Sequence, residues 1–92
     1  MVDQLVKNFM QDKRPTDTKG TPHGLWEIYW SNGQLHSRGV FNKGWKDGLW
    51  ESYHENGDLR FKGAWVDRVK KGYWELNFLD YQPKRYRQQF YV

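Results

Sequence analysis

Polar and apolar residues alternate along residues 48–63, on both sides of an Asn-Gly pair. Alternation with period two is typical of a strand with one buried face, and Asn-Gly is a favoured two-residue loop of a type I′ hairpin. The pattern therefore predicts a β-hairpin with its loop at Asn56 and Gly57. Counting outward from that loop predicts these cross-strand pairs: Trp50–Gly63, Glu51–Lys62, Ser52–Phe61, Tyr53–Arg60, His54–Leu59 and Glu55–Asp58.

This hairpin is the middle unit of an internal repeat. Residues 24–47 align without gaps on residues 48–71, with ten identities in 24 positions, and a third, decaying copy begins at Gly72. Self-similarity at a fixed period indicates supersecondary units stacked side by side. The sequence predicts a mainly β fold, a single-layer antiparallel meander of about three hairpins over residues 24–92, divided as 24–47, 48–71 and a degenerate cap at 72–92.

The same count extends across the connections between the hairpins. Trp50 lies opposite Gly63, and we expect its indole to lie across that glycine and restore packing that glycine forfeits in a strand. If each connection is a four-residue loop, Gly39 lies between Trp26 and Trp50. Oppositely charged residues then alternate from strand to strand, and such pairs stabilise a sheet. The predicted row of charges is Glu27, Arg38, Glu51, Lys62 and Glu75.

Two segments precede the repeats. In residues 1–13, Val2, Leu5, Val6, Phe9 and Met10 recur at helical spacing, which predicts a short amphipathic helix. We expect it to cover the open end of the sheet, and a partner-binding or dimerising role is the alternative. Residues 14–23 contain two prolines and one glycine and are predicted to be a linker.

Composition shifts attention to aromatic residues and to the C-terminal end. Six Trp, six Tyr and five Phe replace an aliphatic core, and the net charge of +4 comes from residues 68–92. The favoured interpretation of those charges is a solvated end strand protected against edge pairing. Without cysteine, disulfides and thiolate metal sites are excluded, and no apolar run reaches the length of a membrane span. We expect a soluble, cytoplasmic protein.

The repeat G-x-W-E-x-Y-x-x-N-G-x-L-x-x-x-G resembles the MORN repeat (membrane occupation and recognition nexus). It is most similar to the variant form found in small bacterial and phage proteins, some of them labelled antitoxins. The resemblance covers residues 24 to about 78. It implies an elongated, twisted meander that serves as a scaffold for protein contacts, with lipid binding proposed for some members.

The residues do not indicate catalysis. The recurring Glu27, Glu51 and Glu75 fall opposite basic residues, as structural ion pairs do, and the three histidines have no metal-ligand spacing. No phosphate-binding glycine loop and no nucleophile with a partner base is present. We expect no enzyme activity, no cofactor and no metal.

Two binding hypotheses remain. The first is a protein-interaction module, an inhibitor, antitoxin or adaptor that covers a partner protein's surface with Trp and Tyr anchors. The second is nucleic-acid or anionic-ligand binding by the basic aromatic C-terminal end. A membrane surface ranks third, and a homodimer is also open because a meander has two edges. The candidate partner-binding residues are Tyr29, Trp45, Tyr53, Arg60, Lys84, Arg85, Tyr86 and Arg87.

Overall fold

The protein is one antiparallel sheet of six strands in sequential order, seen in a computed structural model that describes residues 11–77 and 86–92. The strands are β1 (Gly24–Tyr29), β2 (Leu35–Asn42), β3 (Trp45–Tyr53), β4 (Leu59–Val66), β5 (Val69–Asn77) and β6 (Tyr86–Tyr91). The molecule measures 37 × 34 × 13 Å, the thickness of a single layer. The predicted meander of hairpins is confirmed. The predicted N-terminal helix falls almost entirely outside the described residues.

The hairpin loops differ from the predicted type I′ turns. The amide of Gly57 donates to the His54 carbonyl at 2.9 Å, and the amide of His54 donates to the Asp58 carbonyl at 2.8 Å. Gly57 has a φ of 94°, whereas Asn56 is not in the left-handed region. The loop is thus a type I turn followed by a left-handed glycine, a three-residue loop. The predicted two-residue loop at Asn56 and Gly57 is wrong.

The longer loop changes the pairs nearest to it. Tyr53 pairs with Leu59 instead of the predicted Arg60, and a register shift follows between Ser52 and Tyr53. The predicted His54–Leu59 and Glu55–Asp58 pairs are wrong for the same reason. Beyond the shift the count is restored, and three predicted pairs are confirmed: Trp50–Gly63, Glu51–Lys62 and Ser52–Phe61.

The connections between hairpins also differ from the prediction. Asn42 pairs with Trp45 and Val66 pairs with Val69, so each connection is a two-residue turn instead of a four-residue loop. Both turn residues have positive φ, 50° and 88° at the first turn and 50° and 69° at the second, as a type I′ turn requires. The residues of these turns are Lys43 and Gly44, then Asp67 and Arg68.

The strand after each type I′ turn contains a bulge. The bulge accommodates the two residues that a four-residue loop would have contained. Gly39 pairs with Trp50 but Val40 pairs with Asp47, so Gly48 and Leu49 are extra on β3. Gly48 has a φ of 80°, a conformation that glycine adopts without strain. The two deviations cancel, and the predicted pairing of Arg38 with both Glu27 and Glu51 is confirmed.

At two places in the sheet, a tryptophan lies on a glycine of the preceding repeat. A Cβ added to Gly39 would lie 2.1 Å from Cδ2 of Trp50, and one added to Gly63 would lie equally close to Trp74. The indole nitrogens donate to the carbonyls of Val40 at 2.9 Å and of Ala64 at 3.2 Å. Trp50 and Trp74 are the buried apolar residues of the described chain. The core is therefore made between repeats. Trp50 pairs with Gly63 as predicted, but the indole that lies on Gly63 is that of Trp74, and the Trp50 indole lies on Gly39 instead.

Residues 12–16, here called the edge strap, pair antiparallel with the residues from Pro22 to Glu27 and cover the free edge of β1. Lys13 and Glu27 exchange backbone hydrogen bonds of 2.7 and 2.9 Å, and Trp26 donates its indole N–H to the Pro15 carbonyl at 2.8 Å. The Asp12 carboxylate accepts the amide of Tyr29 at 2.8 Å. The strap thus satisfies the exposed edge of β1, where an open strand invites pairing with another chain.

Candidate interaction surface

The two faces of the sheet have different chemistry because side chains alternate along each strand. The tryptophan face carries Trp26, Trp50 and Trp74, and rings pack edge to face along it. The Lys46 ammonium lies 5.0 Å from the Trp50 ring centroid and 5.5 Å from that of Trp65, and Lys70 is placed in the same way between Trp74 and Tyr91. These cations fill the gaps between rings. This face is the core of the protein.

The opposite face, called the ladder face, carries the row of alternating charges. Arg38 donates to the Glu51 carboxylate at 2.7 Å and lies 3.8 Å from that of Glu27, which also meets Lys13 at 3.4 Å. Glu51 is buried, and the Tyr53 hydroxyl bonds its carboxylate. Burial raises the pKa of Tyr53 above its ordinary value, and the Glu51 charge raises it further. These groups hold one another and form a rigid polar strip.

An exposed apolar surface lies beside this strip, between it and the type I′ turns. Apart from the C-terminal Val92, every large hydrophobic residue exposed in the described part of the chain belongs to it. Leu25, Leu49 and Tyr73 each precede a core tryptophan and so point away from it, and Val40 and Phe90 pair with Leu25 and Tyr73. We call this set the apolar patch, and its members are Leu25, Val40, Trp45, Leu49, Val66, Val69, Tyr73 and Phe90.

The members of the patch run across all six strands. Tyr73 is 69% exposed, Leu49 54% and Trp45 50%, and the rings of Tyr73 and Phe90 lie 4.7 Å apart. Isolated exposed apolar residues are ordinary, whereas a contiguous set on one face marks a surface that another molecule covers. The patch is therefore the main candidate for a binding surface.

A depression of about 220 Å³ sits at the edge of the patch, between the two type I′ turns. Trp45 forms one wall, and the Arg68 guanidinium lies 4.2 Å from its ring centroid, a cation–π contact. The remaining lining residues are polar: Asn42, Lys43, Lys46, Asp47 and Asp67. A second open depression of about 200 Å³ adjoins Tyr53 and Arg38 at the far end of the ladder face.

The predicted partner-binding residues do not form one cluster. Trp45 lies in the apolar patch, as the role predicted for it requires. The candidates Tyr29 and Tyr53 are both partly buried. Tyr53 is held by Glu51, and the amide of Tyr29 is held by Asp12. Tyr73 is the most exposed aromatic of the described residues instead.

The basic candidates lie away from the patch or outside the described chain. Arg60 is exposed near the hairpin loop, with its guanidinium 5.9 Å from the Phe61 ring centroid. Lys84 and Arg85 fall outside the described residues. Tyr86 begins β6, opposite Asn77, and Arg87 is exposed on the same strand.

Three residues of the apolar patch were not predicted as binding residues, although their positions in the repeat indicate that they are exposed. Leu25, Leu49 and Tyr73 recur with the 24-residue period, each directly before the repeat tryptophan. Alternation places the residue before a core tryptophan on the other face, so an apolar residue there is exposed on a single-layer sheet. The predicted row of charges concealed this, because the same face also carries the apolar patch.

Other chemistry is not indicated within the described ranges. No group of three or more His, Asp or Glu residues among them is arranged to hold a metal ion. No helix in that part of the chain is long and apolar enough to cross a membrane.

Two stretches of the chain match a known family of repeats. The MORN repeat variant matches twice, at residues 22–43 and 46–67, the two complete repeats. The chain belongs to the MORN repeat family. MORN repeats are non-catalytic modules that generally serve interaction with proteins or membranes. Among curated proteins and solved structures, no match to this chain is found.

Proposed function

We propose that this MORN repeat protein is a non-catalytic protein-interaction module that covers a partner protein's surface with its ladder face, as an inhibitor, antitoxin or adaptor. The observation that carries the proposal is the apolar patch, eight exposed hydrophobic side chains on one face of an open sheet. Aromatic anchors within a contiguous apolar surface provide most of the binding energy in protein interfaces.

The single layer of the sheet supports a covered face. All six strands belong to one sheet, and the exposed apolar patch lies on the face opposite the core tryptophans. A partner on the ladder face would give the sheet the second layer that a single sheet lacks.

Charge supports a protein partner over nucleic acid. The strip beside the patch alternates in sign and neutralises itself through the Arg38–Glu51 and Arg38–Glu27 contacts. Nucleic-acid sites are strongly and uniformly positive, because affinity comes largely from phosphate contacts. Lys70, one of the cations of the basic aromatic end, is held between two rings of the core. Binding of nucleic acid or another anionic ligand therefore has less support.

Affinity capture of the tagged protein from its native cells, read by mass spectrometry, tests the proposal. We expect a stoichiometric protein partner that is lost with Leu49→Asp and with Tyr73→Asp, since each places a charge in the patch. Gln89→Asp is the matched control, because exposed Gln89 pairs with Trp74 and lies on the tryptophan face. Circular dichroism checks that all three variants fold. Equal capture by all three would contradict the proposal.

A further inference from the structure

Two departures from the repeat meet at the depression beside the apolar patch. The first is Arg68, which has a φ of 69° in the second type I′ turn. The equivalent residue of the first turn, 24 positions earlier, is Gly44 with a φ of 88°. Glycine adopts this conformation freely, whereas a long side chain is strained there. Residues with strained backbone conformations cluster at functional sites. The contacts of the Arg68 side chain are therefore candidates for a function.

The second departure is Trp45. The positions equivalent to it in the neighbouring repeats are Thr21 and Val69, so no other repeat places an aromatic residue here. Trp45 is half exposed, although Trp50 and Trp74 are buried. The Arg68 guanidinium covers one side of its indole at 4.2 Å. Arg68 thus packs against an aromatic ring that is exposed and lies outside the buried core.

The surroundings combine apolar surface with positive charge. Val66 and Val69 flank the turn and are both exposed members of the patch. Arg68 itself makes no ion pair with any residue in the described ranges. At the two turns and on the ladder face beside them, cations outnumber anions by three to two; they are Lys43, Arg68 and Lys71, against Asp47 and Asp67.

Two lysines on the tryptophan face, Lys46 and Lys70, add positive charge from the other side of the sheet. Burial lowers the pKa of Lys46 below its ordinary value, and the charge of Lys70 lowers it further. A positive potential at the turns favours a partner that brings a carboxylate. A guanidinium stacked on a ring keeps its N–H edge in a fixed plane, which suits bidentate binding of a carboxylate.

We propose that Trp45 and Arg68 form the specificity site of the ladder face, and that it takes an extended segment of the partner protein in which apolar and acidic residues alternate. Apolar side chains pack on Trp45, Val66 and Val69, while a carboxylate pairs with Arg68. This inference rests on the proposed function and names the chemistry of the partner segment that the patch takes.

The probe for this site is a blocked hexapeptide of alternating leucine and aspartate, titrated into the ¹⁵N-labelled full-length protein. The indole N–H signal of Trp45, assigned by its loss in Trp45→Phe, reports binding. We expect a saturable shift of that signal, and affinity at least about tenfold weaker for the same peptide with lysine in place of aspartate.

Two arginine variants separate a binding role from a structural one. Arg68→Gln is expected to weaken binding by about tenfold. Arg14→Gln is the matched control, because Arg14 also lies over a tryptophan ring, that of Trp26 at the edge of the sheet, and we expect it to leave binding unaltered. Arg68→Gly removes the strained side chain, so we expect it to lose the peptide shift while its urea midpoint stays equal to that of the wild type or rises. A falling midpoint together with unchanged binding would assign Arg68 a structural role and overturn the proposal.

Other outcomes also overturn it. Equal shifts with the lysine peptide, equal losses in Arg14→Gln, or a response to a thymidine oligonucleotide in place of the acidic peptide would each do so. Failure here is distinguishable from failure of the proposed function. If the peptide does not bind but partner capture still depends on Leu49 and Tyr73, this site is wrong and the ladder face stands as the interface.

Discussion

Gly39 and Gly63 show how single residues set the spacing of this sheet. Both are buried, and each leaves room for an indole from the next repeat to lie against the backbone. Neither has a positive φ, so the requirement for glycine at these two positions is the space that a Cβ would occupy. The glycines at 24, 48 and 72 are different, because each has a positive φ.

The substitution Gly39→Ala tests this distinction. Its Cβ would lie 2.1 Å from the Trp50 ring and would displace a core indole. We expect a loss of about 2–4 kcal/mol in the free energy of unfolding, typical of overpacking plus lost burial. Gly20→Ala is the control, since Gly20 has a φ of 84° but open space around it, and we expect it to cost about 1 kcal/mol. Equal losses in urea unfolding would contradict the packing argument.

His36 gives the protein a pH dependence that belongs to one side chain. It packs 4.4 Å from the Trp30 ring centroid, and burial lowers its pKa below the ordinary value, aided by the charge of Arg60 and opposed by that of Asp12. The folded state therefore favours the neutral ring. Its stabilising contribution is complete above the unfolded-state pKa of about 6.5 and is lost as the pH falls through the folded-state pKa.

We expect the wild type to lose more stability than His36→Gln between pH 7.5 and pH 5. The difference between the two proteins in this loss isolates the histidine from the carboxylates that titrate in both. Urea unfolding at the two pH values measures it. An identical pH dependence in the variant would show that His36 binds protons equally in the folded and unfolded states.

At the scale of elements, the edge strap does for β1 what a preceding hairpin does for the later repeats. It supplies the carbonyl for Trp26 that Val40 and Ala64 supply for Trp50 and Trp74. It also occupies the backbone edge of β1 through Lys13 and Glu27. A terminal strand of a meander needs such protection, because its unpaired N–H and C=O groups are a template for another chain.

Lys13→Pro removes the strap's backbone donor to Glu27. We expect faster hydrogen exchange of the Glu27 amide and concentration-dependent self-association, measured by light scattering after gel filtration. Lys13→Ala keeps the backbone bonds and loses only the exposed ion pair at 3.4 Å. That pair contributes about 0.2–1 kcal/mol, so this control is expected to stay monomeric to the same degree as the wild type. Self-association in both variants would contradict the edge argument.

The turns show what could be predicted at this scale and what could not. The pairs from Glu27 to Glu75 followed from counting, because alternation and the repeat period fix which residues share a face. The loop lengths did not follow, since a type I turn with a left-handed Gly57 and a type I′ turn at Lys43 and Gly44 use similar residues. Each error was cancelled by a bulge, so the register in the middle of the strands was correct.

At the scale of the whole molecule, a single layer has one face for its core and one face left over. The aromatic rows cover the tryptophan face, and the apolar patch lies on the other side with no second layer among the described residues. Sequence patterns indicated a protein partner but not this surface. Exposure depends on how many layers a fold has, and that is a tertiary property which alternation along one strand does not contain.

The central claim is that the ladder face binds a partner protein, and site-directed photo-cross-linking tests it most directly. The photoreactive residue p-benzoylphenylalanine is placed at Leu49 in the apolar patch and, as the matched position, at Gln89 on the tryptophan face. The protein is irradiated in its native cells, and cross-linked products are identified by mass spectrometry. The account predicts one dominant protein adduct from position 49 and none from position 89. Adducts of equal yield from both positions, or from position 89 alone, would contradict it.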